Sequence, residues 1–378
     1  MADSVCAALW SHAQVGVKNS VLPCCRWDTK PSDEDYVDNT VSISNGIQSA
    51  IDSDYFNSAR ERMLNGEQLP ECKQCTDEEK TCGTSLRTYF NDRYKQYIGT
   101  TPKIRDLELV FSTHCNLACR MCWSGASSKW ALIDNPGLTA DTSVVATDVN
   151  KYDHDMSELD NIKMVGGEPF LAKDHYKYLE NFISQSKNPN NITLTYHTNG
   201  TIFPNHKIID YWKKIKTVYI IVSVDAYGEL NNYLRPGKAD SWETINKNIQ
   251  KFKNIEGVNT IVRIHTVITS INALHLHKLV EWIEQTIDNG LAGASFDVTS
   301  QPDHLSVMHL VDSEKLKIRN YINHTRNKLS NINNIEKIFG ILELGLDETP
   351  KKRYTMADIA NKEKRLDDYF KQDFWSNQ

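Results

Sequence analysis

The chain has 378 residues, of which 40% are hydrophobic and 24% charged, and its formal net charge is −6 at pH 7. These values are typical of folded globular proteins and exclude wholesale disorder and a chain-wide basic surface for nucleic acid. No apolar run reaches the roughly 18 residues of a membrane span, and the N-terminus lacks the basic and then apolar pattern of a secretion signal. We therefore expect a cytoplasmic protein with no DNA and no membrane partner.

The first hundred residues are rich in cysteine and poor in periodic apolar sequence. All nine cysteines lie in the first third of the chain, as Cys6, Cys24, Cys25, Cys72, Cys75, Cys82, Cys115, Cys119 and Cys122. Without a secretion signal a disulfide framework is not expected, so this confinement indicates metal or cluster ligation. One helix is predicted here, over residues 57–65, and Gly66 ends it. A bound metal or cluster would stabilise such a segment.

From about residue 104, β-rich runs alternate with amphipathic helices. The predicted strands are rich in Val, Ile, Thr and Tyr, as buried parallel strands are, and cover residues 107–112, 162–165, 192–197, 218–224, 260–267 and 294–298. Helices are predicted over 241–255 and 274–287, where apolar residues recur at spacings of three and four. This alternation predicts an α/β fold with a parallel sheet, with fewer strands than the eight of a closed barrel.

The pattern changes again near the C-terminus, where the sequence from residue 313 onwards reads as helical with Asn- and Lys-rich connections. The sequence therefore predicts three segments. Residues 1–103 form a cysteine-rich domain, residues 104–300 the parallel α/β domain, and residues 301–378 a helical extension.

Cys115, Cys119 and Cys122 form a C-x3-C-x2-C motif directly after the first strand of the α/β series. Three thiolates on one short loop can converge on one metal centre. They are one ligand short of a closed structural site, and the open position can accept a substrate or cofactor.

This motif, at this place in the fold, resembles the radical S-adenosylmethionine (SAM) superfamily, in which three cysteines hold a [4Fe-4S] cluster whose fourth iron binds SAM. Later segments extend the resemblance over residues 107–298: Gly166-Gly167-Glu168-Pro169 is similar to the family's GGEP segment, and Thr198-Asn199-Gly200 to its TNG turn. Glycines let backbone approach a ligand closely, and a carboxylate complements an ammonium group. The SAM contacts implied by the resemblance are Met121, Gly166, Gly167, Glu168, Thr198, Asn199, Ser223, Asp225 and Arg235.

The resemblance implies a fold and an activity. The fold is a partial (β/α)6 TIM-like barrel of the radical SAM type. The activity begins when a donor such as flavodoxin or ferredoxin reduces the cluster. SAM is then cleaved to methionine and a 5′-deoxyadenosyl radical, which abstracts hydrogen from a substrate. Met121 stands where many members carry an aromatic residue that packs on adenine, and a thioether can also lie against a purine. No catalytic side chain is assigned.

The N-terminal cysteines resemble those of twitch and SPASM domains, which bind auxiliary iron–sulfur clusters. The order here is similar to a group of twitch-containing radical SAM proteins of bacteria and phages, in which these cysteines precede the barrel, and the resemblance extends through Glu79 to Gly83-Thr-Ser85-Leu-Arg87. Six cysteines can complete one four-iron cluster but not two. The predicted ligands are Cys6, Cys24, Cys72 and Cys75. Cys25 competes with Cys24, Cys82 lies outside the pattern, and zinc is the alternative metal, because Cys-x2-Cys is also zinc spacing.

The substrate class is left between two hypotheses. Many SPASM and twitch relatives modify a residue of a peptide or protein, which is the first hypothesis. The second is the oxidation of an alcohol group of a small carbohydrate or aminocyclitol, assisted by the auxiliary cluster. A non-catalytic cluster-binding or electron-transfer protein is the third reading, and the intact cysteine triad and GGEP-like segment speak against it.

Overall fold

The computed structural model describes residues 4–28, 41–42, 45–148, 152, 155–186, 188–237, 241–328, 335–350, 353–372 and 374. Its described strands form one nine-stranded sheet in the order β3-β2-β1-β4-β5-β6-β7-β8-β9. The strands are β1 (His12–Val15), β2 (Ser20–Leu22), β3 (Val41–Ser42), β4 (Asp106–Val110), β5 (Asn161–Val165), β6 (Thr193–Thr198), β7 (Thr217–Ser223), β8 (Thr260–Ile268) and β9 (Ala294–Val298). Strands β4 to β9 are parallel to their neighbours. The predicted α/β fold with six consecutive parallel strands is therefore confirmed.

Helices connect and flank these strands. Those of the first hundred residues are α1 (Ala8–Ser11), α2 (Ile47–Ile51), α3 (Asp54–Leu64), α4 (Lys73–Cys82) and α5 (Leu86–Tyr94). Between the parallel strands lie α6 (Ser128–Asp134), α7 (Lys173–Gln185), α8 (His206–Trp212), α9 (Glu229–Leu234), α10 (Ser241–Lys253) and α11 (Leu276–Thr286). The C-terminal part contains α12 (Asp312–Lys328), α13 (Ile335–Asp347) and α14 (Met356–Phe370). None of the described helices is both long and apolar enough to span a bilayer.

The parallel sheet has one apolar and one polar face. Side chains alternate between the two faces of a strand, and in β6 the alternation leaves Leu194 and Tyr196 fully buried and Thr193, Thr195 and His197 half-buried. The apolar face shares one continuous core with the inner sides of α7, α8, α10 and α11. The opposite face is polar, which is unlike the packed interior of a closed eight-stranded barrel.

The N-terminal segment is more closely joined to the sheet than the sequence analysis predicts. Strand β1 pairs in parallel with β4, and its other edge pairs antiparallel with β2. Trp10, Phe56 and Met63 lie in the same core as the parallel strands. The helix predicted over 57–65 is α3, displaced by one to three residues. The strands β1 to β3 were missed because two to four residues are too few for an alternating pattern to emerge.

The C-terminal helix α14 is fastened to the loop that follows β4. Arg120 of that loop is 1% exposed, and its guanidinium donates to Glu363 Oε2 at 2.7 Å and to Asp367 Oδ1 at 2.6 Å. The same guanidinium lies 3.6 Å from the centre of the Tyr233 ring and donates to the Tyr233 carbonyl oxygen at 2.7 Å. Residues more than 240 positions apart are thus joined by one buried cation.

Replacing Arg120 with Met is expected to lower the free energy of unfolding by about 3–5 kcal/mol, because Glu363 and Asp367 lose a buried partner. The matched control is Arg365→Met on the same helix. Arg365 pairs with Asp134 at 2.6 Å but is 58% exposed, so its loss should cost within about 1 kcal/mol. Thermal or urea denaturation of the two variants checks this, and equal losses would contradict the role assigned to Arg120.

Candidate functional site

The three cysteines of the C-x3-C-x2-C motif lie on one loop after β4. Cys119 is buried, and Cys115 and Cys122 are half-buried. Burial raises the pKa of Cys115 to about 11 and those of Cys119 and Cys122 to about 12, and the neighbouring thiols raise them further. Backbone bonds hold the loop, from Ala118 N to the Pro236 carbonyl oxygen at 2.8 Å and from Arg120 N to that of Leu234 at 2.9 Å. The structure thus brings the three thiols together in a dry environment.

Glu168 lies beside this loop, in the Gly166-Gly167-Glu168-Pro169 segment that follows β5. Its side chain is buried and accepts hydrogen bonds from Thr198 Oγ1 at 2.8 Å and from the Asn199 backbone N–H at 2.8 Å. Burial raises the pKa of Glu168 to about 7, although these hydrogen bonds oppose the rise. The charge of Glu168 also raises the pKa of Cys115, so the carboxylate lies within electrostatic reach of the cysteine loop.

Gly167 and Asn199 join the same loop through backbone and amide contacts. The backbone N–H of Gly167 donates to the Ser112 carbonyl oxygen at 2.9 Å, and that of Glu168 to the His114 carbonyl oxygen at 2.7 Å. A Cβ atom at Gly167 would overlap the carbonyl oxygens of residues 113 and 114. Asn199 Nδ2 donates to Asn116 Oδ1 at 2.9 Å and lies 3.9 Å from Cys115 Sγ. Gly166 itself has a φ of +127°, which favours glycine.

A buried ion pair also lies within electrostatic reach of the thiols. Arg235 Nη1 donates to Asp225 Oδ2 at 2.7 Å, and both side chains are buried. The positive charge of Arg235 lowers the pKa values of Cys115, Cys119 and Cys122, against the larger effect of burial. Asp225 Oδ1 accepts from the Val267 backbone N–H at 2.8 Å. The guanidinium is therefore fixed within electrostatic reach of all three thiols.

Two predicted SAM contacts, Ser223 and Met121, lie next to residues of this centre. Ser223 is the last residue of β7, two positions before Asp225. Met121 packs on a small apolar cluster that includes Ala226, Tyr233 and Leu234. The sequence analysis missed Asn231 and Asn272, whose side chains hold the backbone around Asp225. A single asparagine carries no sequence signal that separates it from an ordinary loop residue.

A second group of cysteines lies in the N-terminal segment. Cys72 and Cys75 are close enough to Cys6 for their charges to raise its pKa, and the charges of Cys6, of the adjacent Cys25 and of Cys72 raise the pKa of Cys24. Burial is the largest cause of the raised pKa in every one of them. The structure therefore brings together the four residues predicted as auxiliary ligands.

Cys25 differs from this group. Although Cys25 is exposed, loss of solvent around its thiol and then the charge of Glu108 raise its pKa to about 11, while Lys163 lowers it. Its thiol thus faces side chains of β4 and β5 rather than Cys6, Cys72 and Cys75. The side chain of Cys82 lies outside the described residues.

Arg87 lies beside the second cysteine group. The charge of its guanidinium lowers the pKa values of Cys6 and Cys72. Glu79 accepts from Arg87 and from Ser85 Oγ, which is 2.5 Å away. The Glu79 carboxylate therefore holds the side chains of both Ser85 and Arg87 in place.

A cavity of about 370 Å³ lies against the polar face of the sheet and is covered by α5. Cys25 lies in its wall, as do Lys163 and His197. The His197 ring centre is 6.1 Å from that of His265, whose pKa responds to Asp225 and Arg235 as well as to Lys163. Cys25 and His197 thus line one cavity, and His197 lies beside a histidine that is within electrostatic reach of Asp225 and Arg235.

Comparison with known families decides the identity of the parallel α/β part. The sequence model of the Radical SAM superfamily matches residues 109–283. The chain contains a radical SAM domain. The match begins inside β4, includes the cysteine loop, Glu168, Asp225 and Arg235, and ends in α11, so the resemblance recognised in the sequence is confirmed for this part of the chain.

Two solved protein structures with bound SAM are also similar to this chain. "Native anSMEcpe with bound AdoMet and Cp18Cys peptide" is 18% identical, covers 61% of this chain and 62% of its own, and has a TM-score of 0.43. "Crystal structure of Streptococcus suis SuiB bound to S-adenosylmethionine" is 17% identical, covers 60% and 46%, and has a TM-score of 0.35. The chain thus spans less than two thirds of either protein. Both TM-scores are below 0.5, so neither structure defines the substrate of this chain. No curated protein matches it.

The residues of the radical SAM domain fit the cofactors that the family implies. Cysteine thiols release their protons when they bind iron, and the resulting thiolates are stable cluster ligands. The Nε atom of Arg235 and the Nδ2 atom of Asn231 are buried and make no hydrogen bond within the described part of the chain, so donors remain for an anionic ligand group. Because Gly167 has no Cβ atom, its backbone packs directly against the start of the cysteine loop. Among the described residues, no three His, Cys, Asp or Glu side chains are arranged around a single metal ion.

Replacing Gly167 with Ala should weaken SAM binding by at least about tenfold, because the new Cβ would overlap backbone that cannot rotate away and would push Glu168 from the cysteine loop. Gly137→Ala is the control, since a Cβ there meets only an Asn135 side-chain oxygen at 3.2 Å. Equilibrium dialysis of SAM against the two iron-loaded variants measures the difference. Equal SAM affinity in Gly167→Ala and the native protein would be incompatible with this packing.

Proposed function

We propose that this chain is a radical SAM enzyme that modifies a residue of a peptide or protein. The observation that carries the proposal is the convergence of three cysteine thiols, one buried and two half-buried, with a buried carboxylate and a buried guanidinium at the carboxyl ends of parallel strands, inside a radical SAM domain. Parallel α/β folds bind their ligands at this end of the strands. The proposal assigns one part of SAM recognition to each of these groups.

In this proposal Cys115, Cys119 and Cys122 hold a [4Fe-4S] cluster that leaves one iron open for SAM. When bound, the cluster and SAM together supply a radical able to remove a hydrogen atom from the substrate. Glu168 pairs with the ammonium group of SAM, and the positive charge of Arg235 attracts its carboxylate. Gly166 and Gly167 let SAM approach the backbone closely, and Thr198 and Asn199 orient Glu168. Ser223 and Asp225 are proposed to contact the ribose or the methionine part of SAM, and Met121 to pack against its adenine.

The second cysteine group is proposed to hold one auxiliary [4Fe-4S] cluster through Cys6, Cys24, Cys72 and Cys75. Their mutual effect on pKa supports this set, and the orientation of Cys25 towards Glu108 and Lys163 favours Cys24 over Cys25. Zinc is the alternative metal, because Cys-x2-Cys is also the spacing of zinc sites.

The cavity lined by Cys25 and His197 is the proposed substrate site. Its rim includes exposed Tyr89, Arg93 and Arg263, so one side chain of a peptide can enter while the rest of the peptide stays outside. A specific observation supports the alternative substrate class as well. Thr193, Thr195 and Asn161 line the wall and could donate to or accept from the hydroxyl groups of a small carbohydrate or aminocyclitol.

The chain is proposed to consist of residues 1–103 as the auxiliary-cluster segment, 104–300 as the radical SAM barrel and 301–378 as a helical extension. A flavodoxin or ferredoxin is the proposed electron donor. Cys122 is half-buried and its neighbour Trp123 is 67% exposed. The loop that would hold the SAM-binding cluster thus reaches the surface, where an electron can enter.

The proposal predicts two separable sets of iron. Anaerobically reconstituted protein should hold about eight irons and form 5′-deoxyadenosine from SAM with dithionite, since each four-iron cluster needs its own cysteines. Changing Cys115, Cys119 and Cys122 to Ala should remove about four irons and all SAM cleavage. Changing Cys72 and Cys75 to Ala should remove the other four and leave SAM cleavage measurable.

Adjacent cysteines provide the matched control for the ligand assignment. Cys24→Ser should lower the iron content, whereas Cys25→Ser should leave it at the native level. SAM cleavage by the triple variant would refute the central claim, and about four irons with one zinc in the native protein would support the zinc alternative. Transfer of deuterium to 5′-deoxyadenosine from deuterated peptides or from deuterated sugars separates the two substrate classes.

A further inference from the structure

We propose that the cavity on the polar face of the sheet recognises a carboxylate of the substrate through Arg93 and Arg263. The inference rests on the proposed function, because it treats this cavity as the substrate site of a radical SAM enzyme acting on a peptide. It adds a substrate class, namely a peptide whose reactive region carries an acidic side chain or a terminal carboxylate.

The charges that line the cavity leave a positive excess. Its acidic side chains are Asp106 and Glu108, and its fixed cations are Arg93, Lys163 and Arg263. Both acids already have partners. Asp106 contacts His12 Nδ1 at 2.7 Å and accepts from Asn161 at 2.9 Å, whereas Glu108 accepts from Gln14 at 2.7 Å and from Lys163 at 2.8 Å. Both carboxylates of the cavity wall therefore already have hydrogen-bonding partners close by.

The two arginines are not neutralised in the same way. Within the described residues, neither Arg93 nor Arg263 forms a direct ion pair. Asp106 and Asp160 are close enough to Arg93 for the charges to interact, and each guanidinium lies near tyrosine rings. The Cζ atom of Arg263 is 4.7 Å from the centre of the Tyr219 ring, and that of Arg93 is 5.5 Å from the centre of the Tyr89 ring. Stacking of this kind orients a guanidinium while leaving its N–H groups available for a planar anion.

The two arginine–tyrosine pairs belong to opposite walls of one cavity. Tyr219 and Arg263 lie on neighbouring strands of the sheet, in β7 and β8, whereas Tyr89 and Arg93 are on α5. Tyr89 and Tyr219 are near enough for the charge of one to raise the pKa of the other. A carboxylate entering between the sheet and α5 thus meets a guanidinium on each side. Two such donors recognise a planar carboxylate better than a neutral amide of the same shape.

The test compares two peptides that differ in one charge, Ac-Ala-Glu-Ala-NH2 and Ac-Ala-Gln-Ala-NH2. Binding to the anaerobically reconstituted full-length protein with SAM present is measured by saturation-transfer NMR titration. The glutamate peptide should bind at least about tenfold more tightly at low salt, since hydrogen bonds to a charged group exceed those to a neutral one. Raising the salt concentration should reduce this preference, because the rim is exposed.

Arg263→Gln and, independently, Arg93→Gln should each reduce the preference for the glutamate peptide several-fold, and Arg263→Lys should keep part of it through its charge. The matched control is Lys251→Gln. Lys251 lies 5.3 Å from the centre of the Phe203 ring, outside this cavity. The Lys251→Gln variant therefore loses a similar cation–ring contact but should bind both peptides as the native protein does. Thermal unfolding of each variant confirms that it is folded.

Equal affinity of the native protein for both peptides, including the absence of binding by either, would overturn the inference, as would an unchanged preference in both arginine variants. SAM cleavage by the same native preparation is measured in parallel. If SAM is cleaved and no carboxylate preference exists, only this inference fails. If no SAM is cleaved, the proposed function fails first.

Discussion

The buried ion pair between Arg235 and Asp225 is the interaction on which the rest of the candidate site depends. Three thiols gathered in a dry loop resist losing their protons, which is why burial raises the pKa of each one. A fixed positive charge close by lowers the pKa of the thiols, because it stabilises the thiolate form that binds iron. Asp225 keeps that charge in place, and the backbone N–H of Val267 in turn keeps Asp225 in place at 2.8 Å. The positive charge beside the cysteine loop is thus held in place by Asp225, which follows β7, and by Val267 of β8.

The geometry of the cysteine loop has a separate origin, because it is held from several directions. Backbone bonds fix it to residues 234 and 236, and Gly167 packs directly against its first residues. Arg120 then anchors its centre to α14, through two carboxylates that lie more than 240 positions further along the chain. A guanidinium buried to this degree requires partners, since an unpaired buried charge is strongly destabilising. The helical extension is therefore part of the structure that positions the three thiols.

The sequence predicted features that depend on neighbouring residues better than contacts between residues far apart in the chain. The six parallel strands, the cysteine motif and Glu168 all follow from patterns within a few residues, and these are the parts that the structure and the family match support. Arg120 was not predicted, because its partners Glu363 and Asp367 lie far away in the sequence. Asn231 was not predicted either, because its hydrogen bond to the Asp225 backbone depends on how the loop folds. Strand β1 was missed for a related reason. Its four residues have no visible alternation, and their place in the sheet is decided by the edge of β4 that they complete.

The incomplete barrel explains why the polar face of the sheet, together with Cys25, borders one chamber. Six parallel strands cannot enclose a packed core, so their inner face needs another cover, and here it carries polar side chains that would be costly to bury against apolar ones. The N-terminal segment supplies that cover. Strand β1 extends the sheet beyond β4, while Arg26 contacts Asp297 of β9 at 3.6 Å and Glu78 of α4 at 3.5 Å. Because the turn containing Cys24 and Cys25 is held between these contacts, one thiol joins the buried cysteine group and the next faces the chamber. Neighbouring side chains that diverge in this way can serve two sites at once.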